Sequence, residues 1–251
     1  MAKQKGFLNI TGTLGDTTFA QTKDGFQARV KSRLSAAQLK TSPAFARTRE
    51  NNTEFGRAGA AGKLLRNAVN TLLNNAQAPG SISRLVKKMM EVIRQDLTSS
   101  RGKRNVIDGP ITLLDGYEFN PSAIREVVMK AVVTSTINRV TGELTINIPS
   151  FIPAFRIVPP AGVTHFKLVS AGIELNFEQK TYKRDQKESA TIAWDKTPTA
   201  VMNIVHTVTP NSTNPLFLVF GVQFYQSVGG VMNPMLDGTG NLLTIIDVSK
   251  S

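Results

Sequence analysis

The sequence predicts an α+β protein: an N-terminal β-hairpin or meander and a two-helix region, followed by an antiparallel β-sandwich of immunoglobulin-like or jelly-roll type. Three observations predict it. Turn signals bracket short β-favouring runs near the N-terminus, apolar residues recur at helical spacing between residues 53 and 98, and β-branched runs alternate with Pro and Gly from Val106 onward. The expected boundaries are a β-meander arm over 1–42, a basic helical region over 43–104 and a sandwich over 105–251.

In the first zone, Phe7 to Val30, Leu14-Gly15-Asp16 and Lys23-Asp24-Gly25 flank the run Thr17–Thr22. Asp-Gly supplies the positive φ that a tight hairpin turn demands, so three short strands are expected. A meander this small buries little and is marginal alone, so it must be covered by another surface. Phe7, Phe19 and Phe26 are the apolar side chains expected to meet that surface.

The second zone predicts two helices. From Ser81 to Thr98, Ile82, Leu85, Val86, Met89, Met90, Ile93 and Leu97 form one stripe, with Ser81 or Ser83 as the expected cap after Ala78-Pro79-Gly80. The other helix is expected over Thr53–Asn75. It carries Gly56, Gly59 and Gly62, each costing about 1 kcal/mol against alanine in a helix interior. Spaced three apart, they lie near one face and permit close approach of a neighbouring helix, a second subunit or a phosphate.

In the third zone, seven runs are expected as strands: Val127–Ile137, Glu143–Ile148, Thr164–Phe177, Ser189–Trp194, Val201–Val208, Leu216–Ser227 and Leu242–Val248. Residues 216–225 are apolar on both alternating sets, which marks a central strand covered on both faces.

The net charge of +12 lies in one half: residues 1–104 hold 19 Lys/Arg against 6 Asp/Glu, and residues 105–251 hold 11 against 12. A field of this kind attracts polyanions. Arg57, Lys63, Arg66, Arg84, Lys87, Lys88, Arg101, Lys103 and Arg104 are the candidate phosphate contacts. Phe45 and Phe55 are the only aromatic residues between 27 and 104, too few for a base-stacking platform, so any nucleic-acid contact should follow the phosphate backbone without regard to sequence.

Catalytic chemistry finds little support. The chain has no Cys and two His, His165 and His206, which stand singly in β-runs without carboxylates at ligand spacing. No Gly-x-Ser-x-Gly elbow occurs. Gly56–Leu64 has one residue too many before Gly62-Lys63, and Leu64 stands where a phosphate loop needs Ser or Thr. Asp108, Asp115 and Glu118 share a stretch near Tyr117 and Phe119, without the pattern of a paired-carboxylate site. No catalytic residue, metal or cofactor is therefore expected, and no small-molecule substrate. No run of 18 apolar residues appears, so no membrane span is expected. A cytoplasmic product, or an assembled particle released by lysis, is the expected location.

The segments Met1–Gly6, Gly12–Phe19, Thr22–Arg29, Arg47–Asn51 and Glu54–Gly59 together resemble a group of bacterial proteins of similar length. The group shares the order of hairpin, basic helices and β-rich tail, and the likeness is specific over about the first 110 residues. It implies no enzymatic activity and is compatible with a structural role. The leading expectation is a non-enzymatic subunit that self-assembles into a tube, filament or shell, its partners being copies of itself. The alternative is a nucleic-acid-associated protein such as a viral or virus-like coat protein.

Overall fold

The computed structural model describes residues 2–4, 9–31, 35–73, 76, 80–235 and 240–250. Contacts divide the chain into two compact units, residues 1–51 and 52–251. The protein combines helices with large antiparallel sheets, and its C-terminal part is sheet-rich.

Residues 1–51 begin with four strands: β1 (Ala2–Lys3), β2 (Gly12–Leu14), β3 (Thr17–Thr22) and β4 (Gly25–Val30). They form one sheet in the order β1-β4-β3-β2, one strand more than the sequence predicts. Both expected turns form, and Gly25 adopts φ +101°, a conformation that a side chain resists. Helix α1 (Ala36–Thr41) follows, unanticipated although its signal is present. Ser35 Oγ accepts from the Gln38 amide while the Gln38 side chain accepts from the Ser35 amide, a reciprocal capping box. Arg49 then donates to the carbonyls of Leu39 and Ser42, closing the corner after α1.

Helix α2 spans Ala46–Ala68 and is followed by the single turn α3 (Asn70–Leu73) and by α4 (Ser81–Arg94). The first of these starts earlier and stops sooner than Thr53–Asn75. In α4 no serine caps the amides: Gly80, at φ +77°, occupies the N-cap, and Ser83 Oγ donates back to its carbonyl. The helix ends at Arg94 rather than Thr98, so Leu97 falls beyond it and is 95% exposed, whereas Val92 is fully buried.

Beyond α4 the chain is dominated by strands, with two short helices among them, α5 (Arg125–Val128) before the first strand and α6 (Pro153–Arg156) after the second. β5 (Thr134–Asn138), β6 (Glu143–Ile148) and β10 (Met202–Thr207) make a three-stranded sheet in the order β10-β6-β5. The six-stranded sheet is built on β7 (His165–Asn176) and β11 (Leu216–Val228), which pair over ten residues. β8 (Thr181–Glu188) and β9 (Ile192–Ala193) flank β7, while β12 (Val231–Pro234) and β13 (Leu242–Ser249) flank β11.

Both faces of β7 and β11 are buried, as the apolar sequence of residues 216–225 predicts. On one face Val169, Ala171, Ile173, Phe217 and Val219 share a core with Ala58, Leu65, Leu85, Met89 and Ile93 of the helices. On the other, Phe166, Leu168, Leu218, Phe220 and Val222 share a core with Leu144, Ile146 and Ile148 of the three-stranded sheet. The basic helices are thus continuous with the sheet's hydrophobic core, across the expected boundary at residue 104.

Candidate assembly surface

In an antiparallel pair, directly opposed residues lie on the same face, and alternate residues lie on opposite faces. The register of the N-terminal sheet pairs Gly12 with Phe19, Leu14 with Thr17, Phe19 with Ala28, Thr17 with Val30 and Gln21 with Phe26. One face therefore carries Leu14, Phe19, Phe26, Ala28 and Val30 and no charge. The other carries Lys3, Thr13, Thr18, Thr22, Gln27 and Arg29. This is a two-sided sheet with an apolar side, yet none of the described residues between 2 and 51 is buried. Leu14 is 74% exposed and Val30 76%.

The structure brings Phe19 and Phe26 together on that face. Phe7 lies outside the described residues. The glycines separate: Gly62 is buried, and a Cβ there would meet the side chains of Leu85 and Val86 on α4 at ordinary contact distance. Its neighbour is thus a helix, one of the expected candidates, and the nearest atoms are side chains. Gly56 and Gly59 face open space, beside Phe55, which is 61% exposed.

Several candidate cations are committed to internal structure. Arg104 grips buried Glu54 with Nε on Oε1 at 2.8 Å and Nη2 on Oε2 at 2.9 Å, and the Gly102 amide donates to the same carboxylate. Burial alone would raise the Glu54 pKa, but these donors and the Arg57 charge hold it below the usual range. Arg57 donates to the carbonyls of Gly102 and Arg104, and Arg84 to that of Glu118. Lys88 pairs with Glu91 one turn along α4. Lys63, Lys87, Arg101 and Lys103 are exposed and Arg66 is half-buried.

Two polar clusters consist, apart from Arg84, of residues outside the predicted site. His206 Nε2 is 2.9 Å from Ser170 Oγ, and His206 Nδ1 is 3.8 Å from Asp185 Oδ2. The residue types are those of a hydrolytic triad, but Ser170 and His206 are both fully buried, which closes the hydroxyl to a substrate. Burial pushes the His206 pKa down to about 4, against the opposing pull of Asp185. In the second cluster Arg84 lies over the Tyr117 ring, 5.7 Å from its centre, beside Glu118. Arg84 Nη1, Tyr117 Oη and Glu118 Oε2 are buried without a hydrogen bond of good geometry. Burial, reinforced by Glu126, raises the Glu118 pKa to about 7. Elsewhere, Asp96 accepts the amides of Thr98, Ser99 and Asn105 and organises the loop after α4. Among the described residues, no group of three His, Asp or Glu is placed to hold a metal, and no helix is long and apolar enough to cross a membrane.

A cleft of about 610 Å³ lies between β8 and β10, lined by Lys187, Ser189, Ile192, Val201, Met202, Asn203 and Ile204 among others. A smaller one of about 240 Å³ lies between α2 and the 105–107 loop, against Phe177. With fold and surface defined, the chain is a mixed α+β protein carrying a one-sided apolar sheet. No protein-family model, curated protein or solved structure matches it.

Proposed function

We propose that the chain is a non-enzymatic structural subunit that self-assembles into a homopolymer, a tube, filament or shell, through its N-terminal sheet. One observation carries this reading: the apolar face of Leu14, Phe19, Phe26, Ala28 and Val30 is built by strand register, yet none of the described residues of its unit is buried. Covering a Leu, Val or Phe side chain is worth about 1.5–3 kcal/mol each, and several such side chains on one face together offset the translational, rotational and side-chain entropy that a neighbouring copy loses on docking. In this reading residues 105–251 form the sandwich-like body, and Gly56 and Gly59 leave room for a neighbour beside Phe55. The internal use of Arg57, Arg84 and Arg104 favours this reading over backbone-directed nucleic-acid binding. Light scattering across a concentration series, with negative-stain microscopy, tests it. Concentration-dependent growth into regular particles is expected, and a monodisperse monomer at high concentration would refute it.

A further inference from the structure

The free edge of β10 resolves into peptide groups that are plugged and peptide groups that are not. Along an antiparallel strand the N–H and C=O of one residue point to the same side, and successive residues alternate. Thr207 N–H donates to Asp185 Oδ2 at 2.9 Å and Val205 C=O accepts from Lys187 Nζ. The odd-numbered residues of β10 therefore turn away from β6, towards β8. Two charged side chains of β8 imitate a paired strand at that point. One step further along, the Asn203 peptide groups and the Val205 amide face the 610 Å³ cleft, whose walls include Ile192, Met202 and Ile204. A row of unpaired donors and acceptors beside apolar side chains is the chemistry that receives an added strand.

We propose that this cleft receives strand β2 of a second copy, so that the N-terminal sheet of one molecule continues the three-stranded sheet of the next. The proposal rests on the self-assembly reading and names its contact. Two properties of β2 select it. It is the outer strand of its sheet, paired only to β3, so its second edge is free. The segment 9–15 carries no charge, while the cleft's Lys187 is paired with Asp185 and its Glu188 with Lys167, so insertion buries no unpaired ion. Leu14, at 74% exposure, and Val201, at 72%, gain cover by the same step.

The native chain has no cysteine, which gives cross-linking a clean background. Full-length variants carrying one cysteine, T11C or T13C, are mixed under a mild oxidant with variants carrying N203C or V205C. A disulfide-linked heterodimer is expected in at least one mixture. In parallel, Asn203→Pro removes an amide on the free edge, a position where a strand tolerates proline, and should weaken association about tenfold with unchanged far-ultraviolet circular dichroism. Absence of either result overturns the proposal, as does a T13C/N203C double variant that links only within its own chain. Particles that persist without these links refute the contact alone, whereas a monomeric wild type refutes the self-assembly reading with it.

Discussion

His206 Nε2 lies 2.9 Å from Ser170 Oγ, joining β10 of the small sheet to β7 at the centre of the large one. The packing there is tight: a Cβ at Gly172 would come within 2.5 Å of His206 Cβ, so β7 needs a residue without a side chain beneath the ring. The imidazole is stored neutral between the sheets, and this has a consequence in acid.

With a folded-state pKa near 4 and an unfolded value of 6.5, His206 binds a proton more readily in the unfolded chain. Stability should therefore be unaffected by this group above pH 6.5 and should fall as pH drops towards 4. The loss should reach about 2–3 kcal/mol at pH 4.5. Urea titrations at pH 7 and 4.5 measure it, and His206→Gln should remove most of the difference between the two.

Glu118 acts in the opposite sense. Its folded-state pKa of about 7 exceeds the unfolded 4.5, so its contribution is intact below pH 4.5 and is lost as pH rises through 7. Glu118→Gln should raise stability at pH 8 by about 1 kcal/mol, a discounted figure because the side chain is partly exposed. The gain should vanish below pH 4.5. Thermal melts of the two proteins at pH 4.5 and 8 decide the matter.

The Glu54 carboxylate, 2% exposed, accepts two donors from Arg104 and one from the Gly102 amide. Glu54→Ala leaves the guanidinium and the amide without their acceptor, at a cost of about 3–5 kcal/mol. For a unit of this size the melting temperature should drop by about 10 °C. A loss smaller than about 1 kcal/mol would show that the 101–104 loop moves freely to water.

Phe19 sits on the apolar face of the N-terminal sheet, opposite Gly12 and Ala28. Phe19→Glu places a charge where the proposed contact excludes it. Particle formation should be abolished or shifted at least tenfold in concentration, while the cooperative unfolding of residues 52–251 is unchanged. Sedimentation velocity and calorimetry on one preparation report both.

Much of this architecture was legible in the sequence, and the failures have physical causes. β6, β7, β10, β11 and β13 follow the predicted runs closely because their apolar and β-branched residues are dictated by the buried cores they line, on one face in β6 and on both in β7 and β11. β8 was invisible: Thr181–Glu188 includes Lys183, Arg184, Asp185, Lys187 and Glu188, charges tolerated on an edge strand with little burial and useful against aggregation. The periodicity of α4 was readable, but its start was not, since Gly80 supplied the N-terminal boundary without a capping side chain. Phe19 and Phe26 emerged from turn signals alone, because a hairpin fixes its own register. The β8–β10 cleft had no signature, as its walls come from segments whose pairing depends on the whole chain.

The large sheet is a slab shared by two layers, and that bears on how the chain can be cut. A fragment starting at residue 105 would leave Val169, Ala171, Ile173, Phe217 and Val219 bare to water once Ala58, Leu65, Leu85 and Met89 are gone. Such a truncation should yield insoluble material, whereas deleting the first 51 residues removes no buried side chain among those described and should leave a soluble product.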